Sequence, residues 1–473
     1  MTIKKRKTYE IEISDLAFGG KGLAKINGFP VFVDRTLPGD IALVKIVKKK
    51  KSFAEGRLIQ LVQPSGLRQN AACAYADYCG GCRWQQLPYE TQLAYKKKHV
   101  EDSLTHIGLL KDVRVNDVVP SETIFQFRNK MEFTCSDRRW LLPEELENPE
   151  IKKDMGIGLH VPGTFDKVID IKACHIQPFL GNSILDDVRS FIKESGLPAY
   201  GLTSHQGFWR FLMLRHSVAF DNWMVNIVTK TENDQILVPL AEMLMEKYPQ
   251  IISVVNNVTA KKSGVAVGEY EKRLKGASFI KEKLGEFVFE ISANSFFQTN
   301  TRGAESLYSI VAAYADLSGT ETIMDLYSGT GTIPVWLSGS AAEVVGIEIV
   351  EDAVLDAVKN AALNHIDNCT FYTGDIKEIL PKIDKKIDVM VIDPPRIGMH
   401  KDVVAQVLSR RPEKIVYVSC NPATLARDLS MLKSHYKVVE VQPVDMFPHT
   451  FHIESAALLT RDDQVFRIAP PPV

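Results

Sequence analysis

The sequence predicts an α/β protein in three parts: a small basic β-barrel, a mixed α+β region holding a cysteine cluster, and a C-terminal doubly wound parallel sheet. Three observations carry this. Residues 1–63 combine alternating strand patterns with runs of lysine, three cysteines fall within ten residues after position 72, and from about residue 296 apolar strands alternate with helices. At 473 residues, 45% of them hydrophobic and 24% charged, the chain is long enough for two or three cored domains, expected at 1–63, 64–295 and 296–473. No stretch approaches the roughly 18 consecutive apolar residues of a membrane span. "MTIKKRK" is followed by no apolar leader. A cytoplasmic protein with no membrane partner is therefore expected; oligomeric state is not encoded in any pattern found.

The first part is basic. Residues 1–63 hold 13 Lys and Arg against 6 Asp and Glu, about +7 in a chain whose net charge is -1. Lysine runs at 4–7 and 48–51 flank alternating stretches, "YEIEI" and "FPVFV", and the turn "AFGGKG". Such alternation suggests a small barrel, and clustered positive charge on one suits a phosphate backbone. The stretch "DLAFGGKGLAKINGFPVFVDRTLPGD" resembles the TRAM domain, an OB-like RNA-binding module.

Seven cysteines, an odd number, suit a reducing compartment and a metal or reactive thiol better than a disulfide framework. Cys73, Cys79 and Cys82 lie in "CAYADYCGGC", where Gly80 and Gly81 let the backbone turn sharply enough to aim neighbouring sulfurs at one centre. A fourth ligand is required, and Cys174 in "DIKACHIQP" is the best candidate. Cys135 and Cys369, in strand-like apolar surroundings, read as buried structural thiols. Spacing alone leaves zinc and [4Fe-4S] both open. In the rest of the central region "MEFTCS", "GIGLHVPG", "FWRFLMLRH" and "WMVNIVTK" read as strands. Arg128, Lys130, Arg210 and Arg215 are candidates for RNA phosphate, or else plain exposed arginines and lysines on sheet faces. "YETQLAYKKKHVEDSLTHIG" reads as a long helix with its lysines outside.

"TIMDLYSGTGTIPVWLSG" is an apolar strand, a tight turn with Gly329 and Gly331, and a helix. Pro334 stands where a dinucleotide fingerprint would carry its third glycine, so NAD is disfavoured. Glu348, Asp375 and Asp393 each follow an apolar strand, at the edge where ligands bind in such sheets. Three acids in order after a glycine turn favour S-adenosylmethionine, whose sulfonium needs no phosphate cradle.

"KIVYVSC" then sets Cys420 at the end of a further strand, with Asn421 as N-cap and Pro422 at the first helical position. A helix N-terminus stabilises negative charge, so a lowered thiol pKa and a nucleophile are expected. A methyl donor needs a thiol when the acceptor is a pyrimidine C5, inert until a thiolate adds at C6. The C5 proton must afterwards be removed by a base. His452 and Glu454 in "FPHTFHIE" are placed for that work, with Glu454 raised in pKa by apolar neighbours.

In that order "FFQTN", "DLYSGTG", "GIE", "DPPRIG", "VSCNPATLARD" and "FPHTFHIE" closely resemble the RNA uracil-5-methyltransferases. The resemblance implies Cys420 as nucleophile and Glu454 as proton acceptor. It implies Gln298, Tyr327, Glu348 and Asp393 around S-adenosylmethionine, with Asp375 beside the adenine. It also turns the metal reading toward a [4Fe-4S] cluster on Cys73, Cys79, Cys82 and Cys174. The expected partner is structured RNA, 23S rRNA ahead of tRNA because barrel and cluster together are more typical of the rRNA enzymes. The target uridine is expected to flip out and stack on Phe296 or Phe297. Two positions depart from the pattern: Tyr327-Ser328, where Phe-Cys is frequent, and Phe127, where Tyr is commoner.

Overall fold

The computed structural model describes residues 3–262 and 264–462; the outermost residues of the expected first and last domains, 1–2 and 463–473, lie outside the described residues. The first part is a six-stranded sheet in the order Thr8–Glu12, Ile41–Lys49, Ala54–Gln63, Phe29–Val33, Lys21–Ile26, Asp15–Ala17. Its alternation is that of a half-buried strand: in Ile41–Lys49, Ala42, Val44 and Ile46 point inward to meet Ile13, Val31 and Val33. Gly56 lets two strands approach, since a Cβ there would stand 2.2 Å from Val44 Cγ1.

The central sheet has seven strands, in the order Val168–Asp170, Gly156–His160, Lys130–Ser136, Trp209–His216, Trp223–Thr229, Ile251–Val258, Tyr270–Gly276. Trp209–His216 and Trp223–Thr229 are buried almost throughout, because helices cover one face, while on the other the hairpin Phe279–Leu284/Phe287–Ser292 packs with Met224 and Ala266 packs with Phe211, Met213 and Val228. Their largely apolar pattern, broken by the buried Arg210, Arg215 and Asn226, follows from having no wet face.

Eight strands make the C-terminal sheet, in the order Cys369–Thr373, Glu343–Glu348, Thr322–Leu326, Val389–Ile392, Lys414–Ser419, Glu454–Arg461, Tyr436–Val444, Arg114–Val115. The first five are mutually parallel and Glu454–Arg461 runs against its neighbours. The order reverses between Thr322–Leu326 and Val389–Ile392, which opens a crevice at the carboxyl ends of these strands. Chain from far upstream completes this sheet: Arg114–Val115 forms its edge strand, and the helix Tyr89–His106 packs against the helix Pro422–Leu432. That packing overturns one expectation for the upstream helix. Lys96 is fully buried, because this face of the helix lies against the C-terminal sheet, and it pairs with the equally buried Asp445 at 2.6 Å.

Candidate active site

At the crevice lies a cavity of about 1180 Å³. The turn after Thr322–Leu326 forms its floor. Tyr327 (φ 72°), Gly329 (φ 52°) and Gly331 (φ 78°) all adopt left-handed backbone there, costly for the tyrosine and cheap for the glycines. A Cβ at Gly331 would stand 2.9 Å from that of Ala357. Glu348 braces the turn: its carboxylate accepts from Gly329 N at 3.1 Å, Ile349 N at 2.8 Å and Val350 N at 2.9 Å.

Gln298, Tyr327, Glu348, Asp393, Cys420 and Glu454 all line this one cavity, although they are spread over more than 150 positions. Neighbouring motifs hold one another in place. Asn129 donates to Gln298 O at 2.9 Å and to Thr301 Oγ1 at 2.9 Å, joining "FRNK" to "FFQTN". Asp428, completely buried, accepts from Met399 N at 2.7 Å and Tyr417 Oη at 2.5 Å, while Arg427 donates to Ile397 O at 2.8 Å; together they fix the turn after "DPPR". Asn421 caps its helix as expected, accepting from Ala423 N at 3.1 Å.

Charge in the cavity is concentrated. Burial, then the neighbouring Asp393, push the Glu454 carboxyl up to about 8, and burial pushes Asp393 up to about 6. His452 is held near 4, first by burial and then by Arg396, whose Nη2 donates to His452 Nδ1 at 2.7 Å. The thiol is a correction. Burial, with Glu454 beside it, pushes Cys420 up to about 11 rather than down, and Arg396 opposes that shift without cancelling it. One helix N-terminus does not outweigh a desolvated site that already holds acids.

Two cavity residues escaped sequence reasoning. Asp325 is buried within its strand with neither carboxylate oxygen hydrogen-bonded, and burial together with Asp393 raises its pKa strongly. The signal was a lone acid inside the apolar "TIMDL". Arg396 also lines the cavity, and its carbonyl accepts from Asn421 Nδ2 at 3.1 Å, which ties it to the residue after the thiol.

A family model described as tRNA (Uracil-5-)-methyltransferase matches residues 252–462, and a TRAM domain model matches residues 4–59. The chain is 41% identical to a protein of Porphyromonas gingivalis named "Uncharacterized RNA methyltransferase", over 96% of this chain and 100% of that protein. It belongs to the RNA uracil-5-methyltransferase family. A second RNA methyltransferase, from Chlorobaculum tepidum, is 40% identical over 97% of each chain. The solved structure of Pyrococcus abyssi tRNA (uracil-54, C5)-methyltransferase in complex with S-adenosyl-L-homocysteine superposes with a TM-score of 0.75 at 30% identity, covering 96% of this chain and 100% of that one. No helix among the described residues is long and apolar enough to cross a membrane.

Other expected contacts of the methyltransferase fall differently. Asp375 does not line the cavity; it caps the short helix Ile376–Ile379 and pairs with Lys377 at 3.1 Å, though Gly374 N just before it donates to Glu348 O at 2.8 Å. Arg210 and Arg215 are buried. Arg210 donates to Thr259 O and Lys261 O at 2.7 and 2.6 Å, and Arg215 donates to Ser295 O at 2.8 Å, so both serve loops and not phosphate. Arg128 does line the cavity. Phe297 packs in the core at 3% exposure while Phe296, at 67%, stands at the cavity wall.

Cys73, Cys79, Cys82 and Cys174 together line a second, small cavity. Burial pushes Cys79 and Cys82 up to about 12 and raises Cys73 and Cys174. Among the described residues, no group of three or more His, Cys, Asp or Glu is arranged to hold a metal ion.

Proposed function

We propose that this enzyme methylates C5 of a uridine in RNA through a covalent bond between Cys420 Sγ and C6. The observation that carries the reading is the meeting of one thiol and one high-pKa carboxyl, Cys420 and Glu454, in a cavity whose wall holds further acids, Asp325, Glu348 and Asp393 among them. Acids so placed favour a cationic ligand, and the two unpaired oxygens of Asp325 call for hydrogen-bond donors. S-adenosylmethionine fits both demands, held by Gln298, Tyr327, Glu348 and Asp393, with Asp375 near the adenine end; when bound it supplies a methyl group of cationic character.

The chain's own residues do the rest. The Cys420 thiolate adds to C6, which moves the ring's electron pair to C5 so that C5 forms the new bond to the methyl carbon as that carbon's bond to the donor sulfur breaks, its electron pair staying on the sulfur. Glu454, as carboxylate, then removes the C5 proton; the C5–C6 double bond re-forms and the thiolate leaves. A base with a proton affinity near neutrality suits that step. Arg396 favours the anionic sulfur at both ends of the cycle, by its charge and by its place beside Asn421. Phe296 offers the flipped base a stacking face.

For the second cavity we propose a [4Fe-4S] cluster on Cys73, Cys79, Cys82 and Cys174. The donor set supports it, since four thiols line one small cavity and a cluster takes one thiolate on each of its four irons. Brown colour bleached by oxygen, with iron and sulfide in stoichiometric amounts, is the expected finding; colourless zinc-loaded protein would overturn the cluster. We place 23S rRNA first among acceptors on the sequence resemblance. The whole-length likeness to a tRNA (uracil-54, C5)-methyltransferase makes tRNA the alternative acceptor. Anaerobic incubation with S-adenosylmethionine and either unmodified RNA, followed by nucleoside mass spectrometry, decides. 5-Methyluridine in one RNA alone names the substrate, and none in either rejects the reaction.

A further inference from the structure

Glu454 and His452 are delivered by the loop 445–453, which joins the strand Tyr436–Val444 to the strand Glu454–Arg461. This loop is fastened from one side by chain some 350 residues upstream. Its centre is His449, which holds left-handed backbone (φ 64°) with no glycine to ease it. His449 O accepts from both Arg83 N and Trp84 N, at 2.8 and 2.9 Å, immediately after Cys82. His449 N donates to Gln92 Oε1 at 2.8 Å, and the Gln92 amide nitrogen lies 3.3 Å from His449 Nδ1. The same amide nitrogen donates to Trp84 O at 3.1 Å and Leu87 O at 2.8 Å. Gln92 is completely buried, so a single side chain satisfies the backbone of two distant segments at their meeting point.

We propose that Gln92 is a positioning residue for the proton-removal step, one that fixes the Glu454 loop against the cysteine-bearing segment. The inference rests on the uridine reading given above. A strained turn persists only when its surroundings over-determine it. Here Gln92 is the side chain that bonds the turn's backbone, Phe125 packs on the His449 ring at 4.5 Å, and Lys96, bonded to Asp445 Oδ1 at 2.6 Å and Phe447 O at 3.0 Å, secures the start of the loop. Among the described residues no hydrogen bond joins the turn of Gly329 and Gly331 to Gln92, His449 or Lys96, so binding of the methyl donor is read separately from placement of the base.

The test is Gln92→Met in the full-length protein, which keeps the side chain's length and removes its amide. With S-adenosylmethionine and RNA, a displaced base leaves the methylated adduct without release. The expected result is at least about tenfold more protein–RNA adduct on a denaturing gel than in the unaltered enzyme, with slower turnover and S-adenosylmethionine affinity within about twofold, since small misplacements of catalytic groups cost factors of this size and more. Wild-type adduct levels, or lost turnover without adduct while the cofactor still binds, would overturn the proposal. Should Gln92→Met fail to bind S-adenosylmethionine, Gln92→Asn, which keeps an amide but withdraws it, is judged by the same readouts. Absence of 5-methyluridine from the unaltered enzyme would remove the step itself, and the inference with it.

Discussion

Burial holds the Glu454 carboxyl neutral up to about 8, and this makes the proposed base a pH-dependent liability for the fold. An unfolded glutamate ionises at about 4.3. Between those values the folded chain binds the extra proton, so stability falls as pH rises through the window and levels off above it. Glu454→Gln removes the group, and the variant should be more stable than the unaltered protein by on the order of 3 kcal/mol near pH 8, with the gap closing toward pH 5. Thermal unfolding of both proteins at the two pH values checks this; an equal gap at each would refute it. In the reaction the same variant should trap the covalent RNA adduct, whereas Cys420→Ala should form none. The thiol obeys the same physics in the same sense. With Cys420 pushed up to about 11, alkylation of the free protein at neutral pH should be slow, and Arg396→Gln should slow it further by several-fold. Faster alkylation in that variant would mean that Arg396 shields the sulfur instead of favouring its anion.

At the scale of elements, the motifs act as mutual clamps. Asp428 sits in the helix after Cys420 but bonds the chain after Asp393 and the hydroxyl of Tyr417 in the strand that carries the thiol. Asp428→Ala should strip several buried partners at once and cost about 3 kcal/mol, measured by urea unfolding. A loss below about 1 kcal/mol would show that the turn is held otherwise. These clamps also mark what the sequence could tell. The strands ending at Leu326, Glu348, Ile392 and Ser419 were legible because their apolar runs and the glycine, Asn-Pro and acid signals after them are local. Arg210, Arg215 and Lys96 were not, since each is buried by something distant: a loop carbonyl, or a sheet more than 300 residues away. The Cys420 shift was misread for the same reason. The helix N-terminus is written beside the thiol, but the burial that outweighs it, and the acids that add to that burial, come from other strands.

For the whole molecule, the arrangement of charge gives the barrel its role. Its +7 faces a remainder of opposite sign, and the barrel is fixed to the cysteine segment, and so to the loop that leads into Glu454, by specific contacts. Arg68 pairs with the buried Asp40 at 2.6 Å, Arg35 donates to Asp77 O at 3.2 Å, and Phe18 packs edge-on against Phe451 just before His452. RNA held by the barrel is thus held at a set position relative to the cavity. Lys50 and Lys51 are exposed at the tip of the hairpin between Ile41–Lys49 and Ala54–Gln63. If they meet phosphate, each releases counterions on binding, and replacing both with Gln should weaken RNA binding to a similar extent for every sequence tested. The slope of log K against log salt should fall in magnitude by about 1 to 2, while the rate of the bound complex stays unchanged. Filter binding over a salt series reads the slope, and single-turnover methylation at saturating enzyme reads the rate. An unchanged slope would move the phosphate contacts off this hairpin. A lower single-turnover rate would mean that the barrel takes part in presenting the uridine to Cys420, beyond gripping the RNA around it.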